Sequence, residues 1–202
     1  MFVIGITGPS GAGKGALSNI LSSLGMRIID ADVVYKEIIT PSSDCLIELT
    51  AQFGEEILNS DGTLDRKTLA KLVFGEENRE KLLLLNEITH KYVVHRIRET
   101  VEMYRSQGEK ACVIDAPLLI EAGLCGDCDL TIAVLADKRI RQERISKRDH
   151  ITPDEAMARI NSQKDDSFYI SHTDRVLHNN GDIDEMRTNA INLLNDRKCG
   201  NI

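Results

Sequence analysis

The fold is decided by one stretch of the sequence, Gly8-Pro9-Ser10-Gly11-Ala12-Gly13-Lys14-Gly15. This stretch satisfies the spacing G-x-x-x-x-G-K of a phosphate-binding loop. The apolar segment 1–7 precedes it, and a segment with helical character, 14–24, follows it. A strand, a glycine-rich turn and a helix start are the context that such a loop requires. The stretch therefore predicts a site for a nucleoside triphosphate.

The chemistry of the loop follows from its residue types. Glycines allow successive backbone N–H groups to point at phosphate oxygens, and the helix that follows adds its positive end. Lys14 supplies a full charge for the terminal phosphates, but Gly15 stands where Ser or Thr usually touches magnesium. We therefore expect the metal to be held through water or another residue. The predicted nucleotide-binding residues of the loop are Gly8, Gly11, Ala12, Gly13, Lys14, Gly15 and Ala16.

Composition excludes several classes of function. The chain has 202 residues, which is enough for one domain with an inserted subdomain, and its net charge is -7. An acidic chain with no Trp and only four Tyr and four Phe argues against binding to nucleic acid or to anionic membranes. No apolar run approaches the roughly 18 residues of a membrane span. We expect no nucleic-acid or membrane partner, and the oligomeric state stays open.

The cysteines predict a reduced, cytoplasmic protein. Their number is odd, and the N-terminal apolar segment leads directly into the loop instead of forming a secretion signal. Cys125 and Cys128 form a CxxC pair, which is typical of half a zinc site or of a redox pair. A tetrahedral zinc site needs four ligands, and no second pair of Cys or His accompanies this one. We interpret the pair as incidental loop cysteines. The five cysteines are Cys45, Cys112, Cys125, Cys128 and Cys199.

Carboxylates follow two predicted strands. The strand predicted over 27–32 ends in Asp30 and Asp32, and ligands of open α/β sheets bind at the carboxyl ends of strands. Both residues are expected to face the phosphate loop; the alternative is that they cap a helix beginning near Val33, and for Asp30 the two interpretations are equal. Asp115 ends the apolar segment 111–115. In phosphate-loop proteins a carboxylate at this strand end positions magnesium, and we expect Asp115 to do so through water.

The remaining segments predict an α/β fold with two helical additions. Further strands are expected over 129–136 and 175–178, and a last helix over 184–194. The predicted core comprises residues 1–32, 108–137 and 174–202. Apolar residues at helical spacing predict a helical insertion over 33–107, the position at which phosphate-loop kinases commonly bind their acceptor. The segment 138–173 is predicted to form a lid of two helices, the second starting at a capping box, 152–155, and ending near residue 163.

A row of arginines lies on the first lid helix. Arg141, Arg144 and Arg148 are spaced i, i+3 and i+7, which places them on one face. Guanidinium groups bind phosphates bidentately, so the row is a candidate clamp for polyphosphate. The alternative is a solvated face that pairs with Glu143 and Asp149.

With these segments assembled, the chain resembles the bacterial dephospho-coenzyme A kinase family over nearly its whole length. The resemblance is carried by Ile29-Asp30-Ala31-Asp32, Asp61-Gly62-Thr63-Leu64-Asp65-Arg66, Ile88-Thr89-His90, Asp115-Ala116-Pro117-Leu118-Leu119-Ile120-Glu121, Arg148-Asp149 and Asn179-Asn180-Gly181. It implies a phosphate-loop core of five parallel strands in three layers, a helical domain for the acceptor and a lid. It also implies transfer of phosphate from ATP with Mg²⁺ to the ribose 3′-hydroxyl of dephospho-CoA, the last step of CoA synthesis.

The resemblance also implies roles for single residues. Asp32 would be the general base, and Lys14 and Arg144 would act on the phosphates of ATP, with Arg148 nearby and Asn179 near the adenine. The acceptor would be bordered by Asp32 and by Arg66, His90, Asp115 and Leu118.

Several positions depart from the family pattern. Gly15-Ala16 replaces the usual Ser-Thr. The loop 8–15 is instead similar to those of cytidylate and adenylate kinases, which usually keep a Thr where Ala16 stands. His90-Lys91 replaces His-Pro, and Asp166 and Tyr169 stand where basic residues are usual. These departures keep two alternatives open. One is a nucleoside monophosphate kinase, and the other is a nucleotide-binding regulatory protein with weak catalysis.

Overall fold

The computed structural model describes residues 1–195, except for the side chain of Glu76. The backbone divides into two compact units. The first, called here the core unit, consists of Met1–Ile29 and the chain from Met103 onward. The second, called here the helical unit, is Asp30–Glu102. Cys199, which the sequence predicts to be a reduced thiol, lies outside the described residues.

Five strands form one sheet in the order β2-β3-β1-β4-β5. Strand β1 is parallel to β3 and to β4, and β4 is parallel to β5. Because β2 and β3 lie on one side of β1 and the later strands on the other, the chain order reverses at β1, and ligands bind at such a switch point. The strands are β1 (Phe2–Thr7), β2 (Arg27–Asp30), β3 (Ala111–Asp115), β4 (Leu130–Leu135) and β5 (Arg175–His178).

Helices connect these strands and make up most of the helical unit, which confirms the predicted α/β class. Within residues 1–195, short 3-10 helices lie at Glu55–Ile57, Glu76–Asn78 and Leu124–Asp127. The α-helices of the described residues are α1 (Lys14–Ser23), α2 (Ala31–Ile38), α3 (Asp44–Phe53), α4 (Arg66–Val73), α5 (Arg79–Ser106), α6 (Lys138–Asp149), α7 (Pro153–Asn161), α8 (Asp166–His172) and α9 (Ile183–Asn195).

The sheet is covered on both faces. On one face, Ile4 and Ile6 of β1 pack in a cluster with residues of α1 and α9, such as Leu17 and Ala190. On the other face, Ala133 and Leu135 of β4 pack with Tyr169 of α8. Every residue of β4 is buried, as its nearly all apolar sequence predicts for a parallel strand covered on both sides. The core unit is therefore a three-layer structure.

The structure corrects the prediction at the end of β2. The strand predicted over 27–32 ends at Asp30, and α2 begins at Ala31, two residues before Val33. The cause is a helix cap, because Asp30 Oδ1 accepts hydrogen bonds from the N–H groups of Asp32 and Val33. The capping interpretation is thus correct for Asp30, whereas Asp32 lies in the first turn of α2 with its side chain exposed.

The segment 138–173 contains a third helix that the sequence analysis missed. Helix α8 begins after Asp165, whose carboxylate accepts the N–H of Phe168. Tyr169 is buried against the sheet, which explains why this position holds an apolar ring where a basic residue was expected. The predicted capping box of α7 is confirmed, with Thr152 and Glu155 bonded reciprocally and Pro153 at the first helical position. None of the helices in the described residues has the length and apolarity needed to cross a membrane.

Candidate active site

The phosphate loop joins β1 to α1 and depends on glycines with positive φ. Gly8 has φ 141° and Gly13 has φ 104°, values that residues with a side chain rarely adopt. A Cβ atom at Gly8 would collide with the carbonyl of Val134, and one at Gly13 with the side-chain amide of Asn179. These two glycines therefore allow the loop to lie directly against β4 and the residue that follows β5.

Lys14 begins α1 and folds back over the loop. Its Nζ donates a hydrogen bond to the carbonyl of Gly8 at 2.8 Å. Gly13 serves as the N-cap of α1 without a side-chain cap, so the helix N-terminus is formed by loop backbone alone. An ammonium group and a helix N-terminus at one loop are the two sources of positive potential that bind phosphate.

Loop carbonyls accept hydrogen bonds from side chains of α6 and from Asn179. Arg141 Nε donates to the carbonyl of Ser10 at 2.9 Å, and Asn179 Nδ2 donates to that of Ala12 at 2.8 Å. Arg144 Nη1 lies 3.4 Å from the carbonyls of Gly11 and Ala12, and 3.1 Å from that of Asn179. With its carbonyls bound on this side, the loop can present N–H groups to a phosphate on the other.

The predicted arginine row reaches the phosphate loop. Arg148 Nη2 lies 3.3 Å from the hydroxyl of Ser10, and its guanidinium also pairs with Asp149, whose pKa it lowers to about 2. Arg141 differs from the clamp prediction, because its side chain is 2% exposed and its head group binds backbone. The alternative pairing is thus present in part, because Arg148 contacts Asp149 and Arg139, outside the row, contacts Glu143.

Two predicted nucleotide residues, Arg144 and Asn179, have been brought to the loop from distant parts of the chain. Arg144 is half-buried and contacts the loop through Nη1. Asn179 is buried, and its amide donates to the loop carbonyl of Ala12. Its contribution to this site is therefore to support the loop, and contact with adenine stays a prediction.

Asp115 is held by a residue that the sequence analysis missed. The hydroxyl of Ser18 donates to Asp115 Oδ2 at 2.6 Å, and Ser18 is buried on α1 one turn after Lys14. A polar residue four positions after the loop lysine, on the face of α1 that packs against the sheet, was the available signal. The bond orients the carboxylate at the end of β3.

The residues at the loop fit a magnesium ion that the substrate phosphates hold in large part. Within residues 1–195, no group of three or more His, Cys, Asp or Glu side chains is arranged as a metal site. Mg²⁺ commonly uses one or two carboxylates together with phosphates and several waters. Asp115 supplies such a carboxylate, so metal binding through water remains the prediction for this residue.

Leu118 lies in the turn that follows β3. Its side chain is 46% exposed, whereas the neighbouring Leu119 is fully buried and anchors the turn. Thr7, at the end of β1, donates its hydroxyl to the carbonyl of Pro117 at 3.1 Å. Leu118 is therefore an exposed apolar side chain on a fixed turn, as expected of a residue that contacts an organic acceptor.

In the helical unit, Arg66 at the start of α4 contacts Tyr35 of α2, the helix whose first turn contains Asp32. Tyr35 follows Asp32 by one helical turn, and the guanidinium of Arg66 lies 5.6 Å from the centre of the Tyr35 ring. This distance is that of a cation–π contact. The structure thus packs Arg66, on α4, against the helix that carries Asp32, and contact of either residue with the acceptor stays a prediction.

His90 lies on α5, where it is half-buried. The neighbouring Lys91, which departs from the family pattern, donates to Glu48 at 2.5 Å, and the hydroxyl of Tyr92 donates to the same carboxylate at 2.6 Å. These bonds lower the pKa of Glu48 and tie α5 to α3. Lys91 therefore has a structural partner within the helical unit.

The CxxC pair has the properties of protonated structural thiols. Burial raises the pKa of both Cys125 and Cys128, for the latter to about 12. Each Sγ donates to a backbone carbonyl, Cys125 to Leu119 and Cys128 to Leu124. Thiolates are the nucleophiles and metal ligands of proteins, so these pKa values support the interpretation as incidental cysteines.

Comparison with known proteins agrees with this geometry. The model of the dephospho-CoA kinase family matches residues 2–185. A dephospho-CoA kinase from Corynebacterium glutamicum is 38% identical over 194 residues, covering 96% of either chain. These matches confirm the resemblance drawn from the sequence.

Two solved structures share the fold over almost their full lengths. The dephospho-CoA kinase from Campylobacter jejuni superposes with a TM-score of 0.72 and 25% identity, covering 99% of this chain and 98% of that one. The protein TT1252 from Thermus thermophilus superposes with a TM-score of 0.78 and 29% identity, covering 96% and 95%. The predicted phosphate-loop kinase fold is thereby confirmed.

Two glycines of the loop should differ in their tolerance of alanine. Gly13→Ala should lower the melting temperature and weaken MgATP binding, because its positive φ alone costs about 1–2 kcal/mol and its methyl group meets Asn179. Gly15→Ala is the matched control, since a Cβ there meets no described atom within 4 Å apart from its chain neighbours and the backbone of α1. Thermal unfolding with and without MgATP checks this pair. Equal melting temperatures for the two variants would contradict the described loop conformation.

Proposed function

This chain belongs to the dephospho-CoA kinase family, and we propose that it transfers the γ-phosphoryl group of ATP to the ribose 3′-hydroxyl of dephospho-CoA. The products are CoA and ADP, and the reaction is the final step of CoA biosynthesis. The observation that carries the proposal is the phosphate loop bonded to α6 within a chain that matches this family over residues 2–185.

The nucleotide side of the proposed reaction uses groups of the core unit. Loop N–H groups and Lys14 bind the terminal phosphates, and Arg144 stabilises the charge that spreads over the transferred group. Arg148 adds positive charge beside Ser10. Mg²⁺, when bound with ATP, neutralises the β- and γ-phosphates, and Asp115, oriented by Ser18, is its proposed protein partner through water.

The helical unit supplies three of the residues proposed for the acceptor, namely Asp32, Arg66 and His90. Asp32 is the proposed general base, which accepts the proton of the 3′-hydroxyl as the oxygen attacks phosphorus. Arg66, placed over the Tyr35 ring, is proposed to bind an anionic group of the acceptor. His90 and Leu118 are proposed to contact other parts of the dephospho-CoA molecule. Such groups mainly position the acceptor, which is the principal contribution of proteins to phosphoryl transfer.

The acceptor is tested by measuring ADP release from MgATP with dephospho-CoA, CMP, AMP or no acceptor in parallel. We expect release with dephospho-CoA alone, and CoA as the product identified by mass spectrometry. Release with CMP or AMP would assign the chain to nucleoside monophosphate kinases instead. Binding of ATP without release in any reaction would favour the regulatory alternative.

Asp32→Asn should lower kcat about 100-fold or more while sparing ATP binding, because general base catalysis commonly contributes about 10²–10⁴-fold. The matched control is Asp44→Asn, which removes an exposed carboxylate from the first turn of another helix of the same unit. Steady-state kinetics and equilibrium ATP binding check both variants. Turnover of the Asp32→Asn variant at the parental rate would exclude Asp32 as the base.

Gly15→Ser should restore the hydroxyl that loops of this type usually direct at magnesium. The described residues leave space for it, since a Cβ at this position meets nothing within 4 Å beyond its chain neighbours and the backbone of α1. We expect a lower Mg²⁺ concentration for half-maximal activity, by about three-fold if the gain equals one ordinary hydrogen bond, and no loss of thermal stability. A Mg²⁺ titration at saturating ATP checks this. An unchanged Mg²⁺ requirement would show that the hydroxyl is dispensable in this chain.

A further inference from the structure

Arg141 is a buried cation that the proposed reaction does not use. It heads the largest fully buried side chains of the described residues, with 2% of its side chain exposed. Burying a guanidinium is unfavourable unless hydrogen bonds compensate for lost water, and burial lowers the pKa of Arg141. The nearest carboxylate, Asp166 Oδ1, lies 4.0 Å from Nη1 and is half exposed to solvent. The burial therefore calls for a reason other than an ion pair.

Hydrogen bonds from Arg141 close a ring around Ser10 of the phosphate loop. Arg141 Nε donates to the carbonyl of Ser10 at 2.9 Å, and Nη2 donates to Gln163 Oε1 at 2.7 Å. The same Oε1 atom accepts the backbone N–H of Ser10 at 3.2 Å. Both peptide groups that flank Ser10 are thus fixed in orientation by one arginine and one glutamine.

The backbone at Arg141 also packs against the loop. A Cβ atom at Gly11 would lie 2.9 Å from the Arg141 carbonyl oxygen and 3.1 Å from its Cα. Gly11 has φ 78°, so the loop turns away immediately after Ser10. Arg141 therefore sets the position of the loop through its backbone and the orientation of its peptides through its side chain.

The ring connects the loop to the segment between α7 and α8. Gln163 lies two residues after the end of α7. Its side-chain oxygen accepts hydrogen bonds from both the Ser10 N–H and the Arg141 guanidinium. A displacement of this segment would break both bonds at once. The orientation of the loop and the position of the segment after α7 are thus coupled by these contacts.

We infer that Arg141 and Gln163 are positioning residues for ATP, which hold the two peptide groups of Ser10 in the orientation that binds phosphate. The charge of Arg141 polarises the loop beside the phosphates without touching them. Positioning of loop dipoles before the ligand arrives lowers the free-energy cost of binding. The inference rests on the proposed function only in that the loop binds ATP, whatever the acceptor.

The test compares Arg141→Gln with Arg139→Gln. Arg139 lies on the same helix, its side chain is 87% exposed, and it contacts Glu143 instead of the loop. The dissociation constant of MgATP is measured by competition with a fluorescent ATP analogue, at a temperature where circular dichroism shows each variant to be folded. We expect Arg141→Gln to bind MgATP about ten-fold more weakly, since a hydrogen bond to a charged group is lost. Arg139→Gln should match the parent.

Kinetics separate positioning from a purely structural role. Arg141→Gln should raise the KM for ATP while the KM for dephospho-CoA stays within about two-fold, a variation we treat as no change. Arg141→Lys keeps the charge but cannot make both bonds, so it should recover only part of the affinity. A purely structural role would lower the melting temperature and leave the MgATP affinity of the folded protein unchanged.

Gln163→Ala keeps the inference testable if Arg141→Gln does not fold. This variant removes the acceptor of two hydrogen bonds and should weaken MgATP binding about three- to ten-fold. If the two residues act as a unit, the double variant should bind no more weakly than Arg141→Gln alone. A folded Arg141→Gln, or failing that a folded Gln163→Ala, that binds MgATP as the parent does would overturn the inference. Absence of turnover with dephospho-CoA would refute the proposed function and leave this binding result unaffected.

Discussion

The phosphate loop imposes a constraint that the rest of the core unit satisfies. A loop that directs N–H groups at a phosphate must direct carbonyl groups elsewhere, and buried carbonyls without partners are costly. In this protein the partners are the side chains of Arg141, Arg144 and Asn179. They come from a helix after β4 and from the end of β5, which the strand order places beside β1. The sheet topology is therefore what brings the carbonyl partners to the loop.

The same arrangement resolves an electrostatic problem. A chain with a net charge of -7 must concentrate cations where it binds polyphosphate. Helix α6 does so with three arginines directed at the loop, each in a different environment. Arg141 is buried and bound to backbone, Arg144 is half-buried beside the loop, and Arg148 is exposed and paired with Asp149. One helix face thus carries a buried arginine that fixes the loop backbone and two more accessible arginines beside the loop.

Much of the fold could be predicted because its signals are local in sequence. The phosphate loop, the buried strand β4 and the capping box of α7 each depend on residues within a few positions of one another. The interaction of Ser18 with Asp115 could not be predicted in this way, because 97 residues separate the partners and Ser has no strong preference for that contact. The sequence predicts the start of α2 too late, because Asp30 is compatible with both a strand end and a helix cap. Only the backbone geometry shows that Asp30 caps the helix.

The arginine row shows how far periodicity leads and where it stops. Spacing correctly placed Arg141, Arg144 and Arg148 on the loop-facing side of α6, because helical geometry is independent of context. Spacing could not distinguish a cation that meets phosphate from one that meets backbone, since this depends on how far each position lies from the loop. The burial of Arg141 shows that this cation binds backbone. Its second hydrogen-bond acceptor is Gln163, which lies just before helix α8, a helix that the sequence did not predict.

The departure at Gly15 bears on how catalysis is divided among the loop residues. Phosphoryl transfer depends mainly on positioning and on charge stabilisation, which here come from the loop backbone, Lys14 and the arginines of α6. A loop hydroxyl contributes one ligand to a metal ion that the phosphates and waters already hold in large part. Its replacement by glycine therefore removes a minor part of the site, and the hydroxyl of Ser18 still orients the carboxylate proposed to act on the metal side. Loss of the loop hydroxyl is thus compatible with a working kinase, because the larger electrostatic contributions are retained.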